Sequence, residues 1–288
     1  MVIISTLKVC EYRHSVYHPE SPERIYKTYE FLKDKYKIIE PQPATKDDIL
    51  LAHTEELHNA VLEGKFYDPD TPAEKDIYYY ATLSAGGAIL AMKYATKYKE
   101  AALSLMRPPG HHAGRNFLGG FCYFNNIAIA IRKFLTENNN RKAAILDLDC
   151  HHGNGTQDIF YGDKLLLYVS LHQSPLYPGT GLTSEDNCLN YPIPPNTSET
   201  LYLSILSEAI EEIKKFSPDI LGVSLGFDTY INDPITNMNL TEASYNKIAH
   251  IIKENIIKNG IPTFYVLEGG YSEKLPELVY NFIKSLEE

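Results

Sequence analysis

Short, nearly continuous apolar runs recur along this chain, and several break off into side chains that are costly to bury. Val2 to Ser5, Ala101 to Met106, Ala143 to Asp149, Leu165 to Leu171, Ile220 to Leu225 and Thr263 to Leu267 are of strand length. Runs of roughly four to eight apolar residues fit strands covered on both faces, the environment of a parallel sheet. Helical spacing fills the intervals. Ser21 and Pro22 read as an N-cap followed by proline in the first turn, with Ile25, Tyr29, Leu32 and Tyr36 behind them. Glu74 to Lys99 carries a stripe through Ile77, Ala81, Ser84, Ala88, Met92 and Ala95. Leu203, Leu206, Ile210 and Ile213 mark another, and Tyr245, Ile248, Ile252 and Ile256 a further one that stops at Gly260 and Pro262. Strands alternating with helices predict an α/β fold with helices on both faces of the sheet.

No Pro/Gly/Ser linker, repeat or low-complexity stretch beyond Asn138 to Asn140 divides the 288 residues, so one domain over 1–288 is expected. The 27 basic against 37 acidic side chains, net −10 without a basic run, exclude a phosphate-tracking nucleic-acid surface. Cys10, Cys122, Cys150 and Cys188 form no CxxC pair, so neither a disulfide framework nor a zinc ribbon is indicated, and the chain reads as reduced and cytoplasmic. The apolar stretch before Lys8 is too short for a signal segment, and no apolar run is long enough to span a membrane. The sequence sets no oligomeric state.

In open parallel sheets chemistry collects outside the carboxyl ends of the strands. The run from Ala143 continues Asp147-Leu148-Asp149-Cys150-His151-His152-Gly153-Asn154, and strand alternation would put Asp147, Asp149 and His151 on one face. Two carboxylates and an imidazole on a buried face call for a compensating cation, and that donor set suits zinc or iron(II). The second run ends in Arg107-Pro108-Pro109-Gly110-His111-His112, a stiff segment presenting an imidazole pair suited to acid/base work. The fifth ends at Gly226-Phe227-Asp228, a third carboxylate for the same edge, and the sixth at Glu268-Gly269-Gly270-Tyr271, whose phenol can donate to a developing oxyanion. A metal on Asp149, His151 and Asp228, a histidine pair and a phenol together fit metal-assisted hydrolysis of an amide or ester. No phosphate-binding glycine loop and no GxSxG elbow competes.

These motifs, together with His18 to Arg24, Ala52-His53-Thr54, Gly119 to Asn126, Ser170 to Gln173 and Tyr177 to Gly181, resemble the zinc-dependent histone deacetylase family. That family includes acetoin-utilisation and acetylpolyamine amidohydrolase relatives. The resemblance implies a three-layer α/β/α sandwich with a mainly parallel sheet, of the arginase/deacetylase kind. It implies zinc on Asp149, His151 and Asp228, with His112 as general base and acid, His111 as its electrostatic partner oriented by Asp147, and Tyr271 polarising the acyl oxygen. Gly120 and Phe121 match tunnel residues, and Tyr177 would form the opposite wall. A structural potassium ion would use Asp147, Asp149, Ser170 and the carbonyls of His151 and Leu171. Asn154 stands beside His112 where one branch of the family has Asp, which removes a charge that would raise the imidazole pKa.

The implied activity is removal of acetyl groups from N-acetyl-lysine side chains or related N-acyl amines. Ile235 lies where some acetylpolyamine enzymes carry glutamate, which favours acyl-lysine; Asp70 or Glu74 could supply an acidic gate instead. A dimanganese ureohydrolase would need a further aspartate pair near Asp228, and Thr229 to Asp233 contains none. A non-catalytic acyl-lysine binding module should have lost Tyr271, His112 or a ligand, and all are present.

Overall fold

A strand buried on both faces sends alternate side chains into two different cores. In the computed structural model, which describes residues 1–288, Val2 and Ile4 pack into one core and Ile3 into the other. Eight strands behave this way or flank those that do: β1 (Val2–Ile4), β2 (Lys37–Ile39), β3 (Ala102–Ser104), β4 (Ala143–Asp147), β5 (Leu166–Gln173), β6 (Cys188–Ile193), β7 (Ile220–Leu225) and β8 (Thr263–Leu267). They form one sheet in the order β2-β1-β3-β8-β7-β4-β5-β6. Every neighbouring pair is parallel.

The helices are α1 (Pro22–Leu32), α2 (Lys46–Leu50), α3 (Glu55–Glu63), α4 (Ile77–Tyr98), α5 (Asn126–Glu137), α6 (Asn154–Phe160), α7 (Glu199–Phe216), α8 (Glu242–Ile252) and α9 (Leu275–Glu287). Apolar faces of α1, α7, α8 and α9 join Ile3, Leu146, Val223 and Leu267 in one core. Those of α3, α4 and α5 join Ile4, Ile145, Ile220 and Val266 in the other. The result is the expected α/β/α sandwich. Small residues let α4 lie close to the chain beside it: a Cβ on Gly86 would stand 1.9 Å from the Gln42 carbonyl oxygen. No helix is long and apolar enough to cross a membrane.

The six expected strands are all present, and β2 and β6 extend the sheet at its two edges. Edge strands need no continuous apolar run: β2 is only partly buried, and β6 contains Pro192, which an edge tolerates. The first aspartate of the Asp147-Leu148-Asp149 run closes β4, so Asp149 and His151 sit in the turn beyond it rather than on the strand. Helix α4 begins at Ile77, not Glu74, whose carboxylate instead lies 3.3 Å from His14 Nδ1. The site residues therefore come from the carboxyl ends of β3, β8, β7 and β4, four adjacent strands at the centre of the sheet.

One buried ion pair anchors the loop after β3. Arg107 is fully buried and donates through Nε and Nη2 to the two oxygens of Glu20, both at 2.7 Å. Its Nη1 donates to the Val9 and Tyr12 carbonyls, and its guanidinium lies 3.6 Å from the centre of the Tyr12 ring. With Nη2 also donating to the Glu20 carbonyl at 3.4 Å, all five guanidinium protons are used, the condition under which a buried pair is tolerable. Burial would raise the Glu20 carboxyl, but Arg107 outweighs it and holds the group at about 2. Glu20→Gln should therefore cost about 3 kcal/mol at neutral pH by urea denaturation, the scale of breaking a buried pair. Because the folded pKa is depressed, that cost should be complete above the ordinary carboxylate value of 4.5 and shrink as pH falls toward 2.

Candidate active site

The turn after β4 folds back so that Asp149 and His151 meet Asp228 at the end of β7. One ligand atom from each lies within 4.8 Å of the others, and all three residues are buried. His151 Nδ1 stands 3.0 Å from Asp149 Oδ1 and 2.9 Å from Asp228 Oδ2. A single Nδ1 proton satisfies only one of these contacts, so two carboxylates share less positive charge than they need. Burial, reinforced by Asp149, pushes the Asp228 carboxyl up to about 7. Backbone amides help at the margins: Cys150 N donates to Asp228 Oδ1 at 2.8 Å and Gly269 N to Asp149 Oδ2 at 2.7 Å. Space is also reserved, because a Cβ on Gly269 would lie 2.6 Å from carboxylate oxygens of both aspartates. Two carboxylates and an imidazole, short of charge and kept clear of side chains, fit a divalent cation.

The histidine pair follows β3. His111 and His112 have ring centroids 4.0 Å apart, yet they face different partners. His111 Nδ1 lies 3.1 Å from Asp147 Oδ2, which also accepts from the Tyr168 hydroxyl at 3.0 Å. Burial alone would lower the His111 pKa, but Asp147 and Asp149 outweigh it and raise it to about 10. His112 Nδ1 lies 2.8 Å from Asn154 Oδ1, an acceptor, so that nitrogen carries the proton and Nε2 keeps a free lone pair. Burial, then the charges of His111 and His151, hold the His112 pKa well below its ordinary value. The two neighbouring imidazoles are thus pushed in opposite directions, His111 toward its charged form and His112 toward its neutral one.

The Glu268–Tyr271 turn is tied at nearly every backbone group. Arg24 donates to the Glu268 carbonyl at 2.6 Å and the Gly270 carbonyl at 2.7 Å. Phe227 N donates to the Gly269 carbonyl at 3.1 Å, and Tyr271 N to Asp233 Oδ2 at 2.8 Å. The Arg24 guanidinium also lies 4.7 Å from the centre of the Tyr271 ring. Gly270 has φ +118°, and a Cβ there would meet Phe227 at 2.8 Å, so this position requires glycine.

A cavity of about 340 Å³ opens over these groups, lined by His111, His112, Asp149, His151, Gly120, Phe121, Tyr177, Ile235 and Tyr271 among others. Phe121 sits at φ +70°, unusual for a bulky residue, and is held there by a 3.0 Å bond from its N–H to the Thr71 hydroxyl. The Gly120 carbonyl accepts from the Cys122 thiol at 3.3 Å. Tyr177, half exposed, presents its ring to His112 with centroids 5.1 Å apart. Asp70 lines the cavity, whereas Glu74 is drawn to His14 and does not. His18, Pro19, Leu176 and Gly269 also line it and were not assigned from sequence; Arg24 and Glu268 lie within motifs quoted above but, like Asp233, were given no role, because they act through long-range backbone contacts. Asp147 and Ser170 are register partners on β4 and β5, with Ser170 Oγ 2.9 Å from His172 Nδ1.

Comparison with known proteins agrees with this geometry. The histone deacetylase domain matches residues 18–286. A probable deacetylase of Archaeoglobus fulgidus is 38% identical over 285 residues, covering 91% of this chain and 79% of that protein. Acetylpolyamine amidohydrolase 1 of Pseudomonas aeruginosa is 38% identical over 216 residues, covering 72% of this chain and 61% of that protein. The crystal structure of an acetylpolyamine aminohydrolase from Burkholderia pseudomallei superposes with a TM-score of 0.91 at 26% identity, covering 99% of this chain and 98% of that one. The chain belongs to the histone deacetylase family, a family of deacetylating hydrolases.

Proposed function

We propose that this chain is a metal-dependent amidohydrolase that removes acetyl groups from N-acetyl-lysine side chains or related N-acyl amines. The observation that carries the reading is the meeting of Asp149, His151 and Asp228, the first two of which line a cavity that His112 and Tyr271 also line. A zinc or iron(II) ion held by those three residues would supply Lewis acidity, acidifying a water and polarising the acyl oxygen. His112, neutral with Nε2 free, accepts the proton of the attacking water and later returns it to the leaving amine. His111, kept charged by Asp147, stabilises negative charge developing beside it. Tyr271 keeps its proton, because burial holds its phenol well above the ordinary range, and donates it to the acyl oxygen as a hydrogen bond. Gly120, Phe121, Tyr177 and Ile235 enclose the acyl-bearing stem and exclude water.

The potassium assignment belongs to the same proposal: Asp147, Asp149 and Ser170 with the His151 and Leu171 carbonyls would hold it. Four unpaired thiols support a reducing compartment, and we assign the chain to the cytoplasm.

A second reading, deacetylation of acetylpolyamines, is favoured by one feature. Asp70 is an exposed acidic residue among those lining the cavity, on the side a distal ammonium would approach. Zinc-loaded enzyme should hydrolyse an acetyl-lysine peptide, and Tyr271→Phe and His112→Ala should each lower kcat by about 100-fold or more. Retention of turnover in both variants would exclude this chemistry. Asp70→Asn should raise KM for acetylspermidine more than for the peptide if the polyamine reading holds, and change both alike if it does not. The acid limb of kcat/KM should fall below the ordinary imidazole value of 6.5, since a depressed His112 stays neutral as pH drops. A limb above that value would contradict the assignment of His112 as base.

A further inference from the structure

The mechanism leaves one buried carboxylate of the site without a role. Glu268 is fully buried. Its Oε2 accepts from Gly110 N at 2.7 Å and His111 N at 3.2 Å, and its Oε1 from the Ser224 hydroxyl at 3.1 Å. Satisfying two backbone amides does not require so expensive a group: burying a carboxylate costs several kcal/mol even after relaxation. What the carboxylate adds is a link. Its own backbone begins the turn that carries Tyr271, while its side chain grips the segment that carries the histidine pair.

We propose that Glu268 is a positioning residue that sets His112 and Tyr271 against one another across the cavity. The proposal rests on the reading of His112 and Tyr271 given above. Asp147 and Asn154 orient the two imidazole rings, but neither reaches the backbone of Gly110 and His111. The His111 carbonyl is held by Thr156 N at 3.1 Å, whereas the N–H groups of Gly110 and His111 are held by Glu268 Oε2, and Ser224 at the end of β7 keeps its carboxylate from swinging. The strands beneath, β3, β8 and β7, are neighbours, so one side chain directly bridges the two segments that carry the proton-handling groups.

Reach and charge separate cleanly by substitution. Glu268→Asp keeps the charge and withdraws the carboxylate by one methylene, whereas Glu268→Gln keeps the reach and removes the charge. Misplacing a reacting group by about 1 Å costs on the order of 100-fold in rate. In the zinc-loaded enzyme, E268D is expected to lower kcat about 100-fold with KM within about threefold, and E268Q to lose only about tenfold. Zinc content should match wild type in both. A crystal structure of E268D should show His112 displaced from Tyr271, a readout independent of turnover. Equal losses in the two variants, a loss confined to KM or zinc content, or an unmoved His112 would overturn the proposal. If E268D does not fold, Ser224→Ala carries the test: kcat should fall about fivefold at constant KM, and an unchanged kcat would overturn it. Failure of the wild-type enzyme on every acyl amine would refute the functional reading instead, and the His112 displacement would still decide this one.

Discussion

Four carboxylates, from Asp147, Asp149, Asp228 and Glu268, are buried at the carboxyl edge of the sheet, and the architecture around them is arranged as compensation. His111 lies between Asp147 and Asp149, and His151 between Asp149 and Asp228. Amides of Gly110, His111, Cys150, His151 and Gly269 point at carboxylate oxygens. Apart from Asp147, which closes β4, each of these groups is held by a loop that follows a central strand. A parallel sheet makes this feasible, because it aligns the ends of β3, β8, β7 and β4 on one edge while both of its faces remain dry. The compensation stays incomplete at Asp149, His151 and Asp228, and that remaining deficit is where a divalent cation belongs.

The same edge explains how two adjacent imidazoles acquire opposite protonation states. A carboxylate beside His111 stabilises its charge, and an amide oxygen beside His112 fixes its tautomer without adding charge. Asn154, the first residue of α6, would in the proposed function serve a neutral base. Ile235 and Asp70 both line the cavity, one apolar and one acidic, and in the proposed function they would favour different distal groups on the amine.

Much of this was legible in the sequence because burial leaves a local trace. Runs such as Ala143 to Asp147 are apolar because both faces are covered, and the residues after them are polar because the site lies there. Strands β2 and β6 left no such trace, since an edge strand is half solvated. Helix α5 was hidden by its alternation of Ile127, Ile129 and Ile131 with alanines, which is ambiguous between strand and helix. The stripe of α9 through Leu275, Leu278, Val279, Phe282, Ile283 and Leu286 has helical spacing but was missed in the sequence. Alternation within the Asp147 to His151 segment misplaced Asp149 and His151 on the strand, because hydrophobic pattern does not show where pairing ends. The contacts of Arg24 with Glu268 and Gly270 join residues some 245 positions apart. No local pattern encodes those.

In the proposed function a divalent cation completes the buried negative charge at Asp149, His151 and Asp228. Calorimetric titration of zinc into metal-stripped protein tests it most directly, with Asp228→Asn alongside. The account expects one ion per chain, binding with release of protons as the ligands lose theirs, a higher melting temperature for the loaded protein, and loss of both effects in Asp228→Asn. Absence of stoichiometric binding in the wild type, or binding that survives Asp228→Asn unchanged, would contradict it.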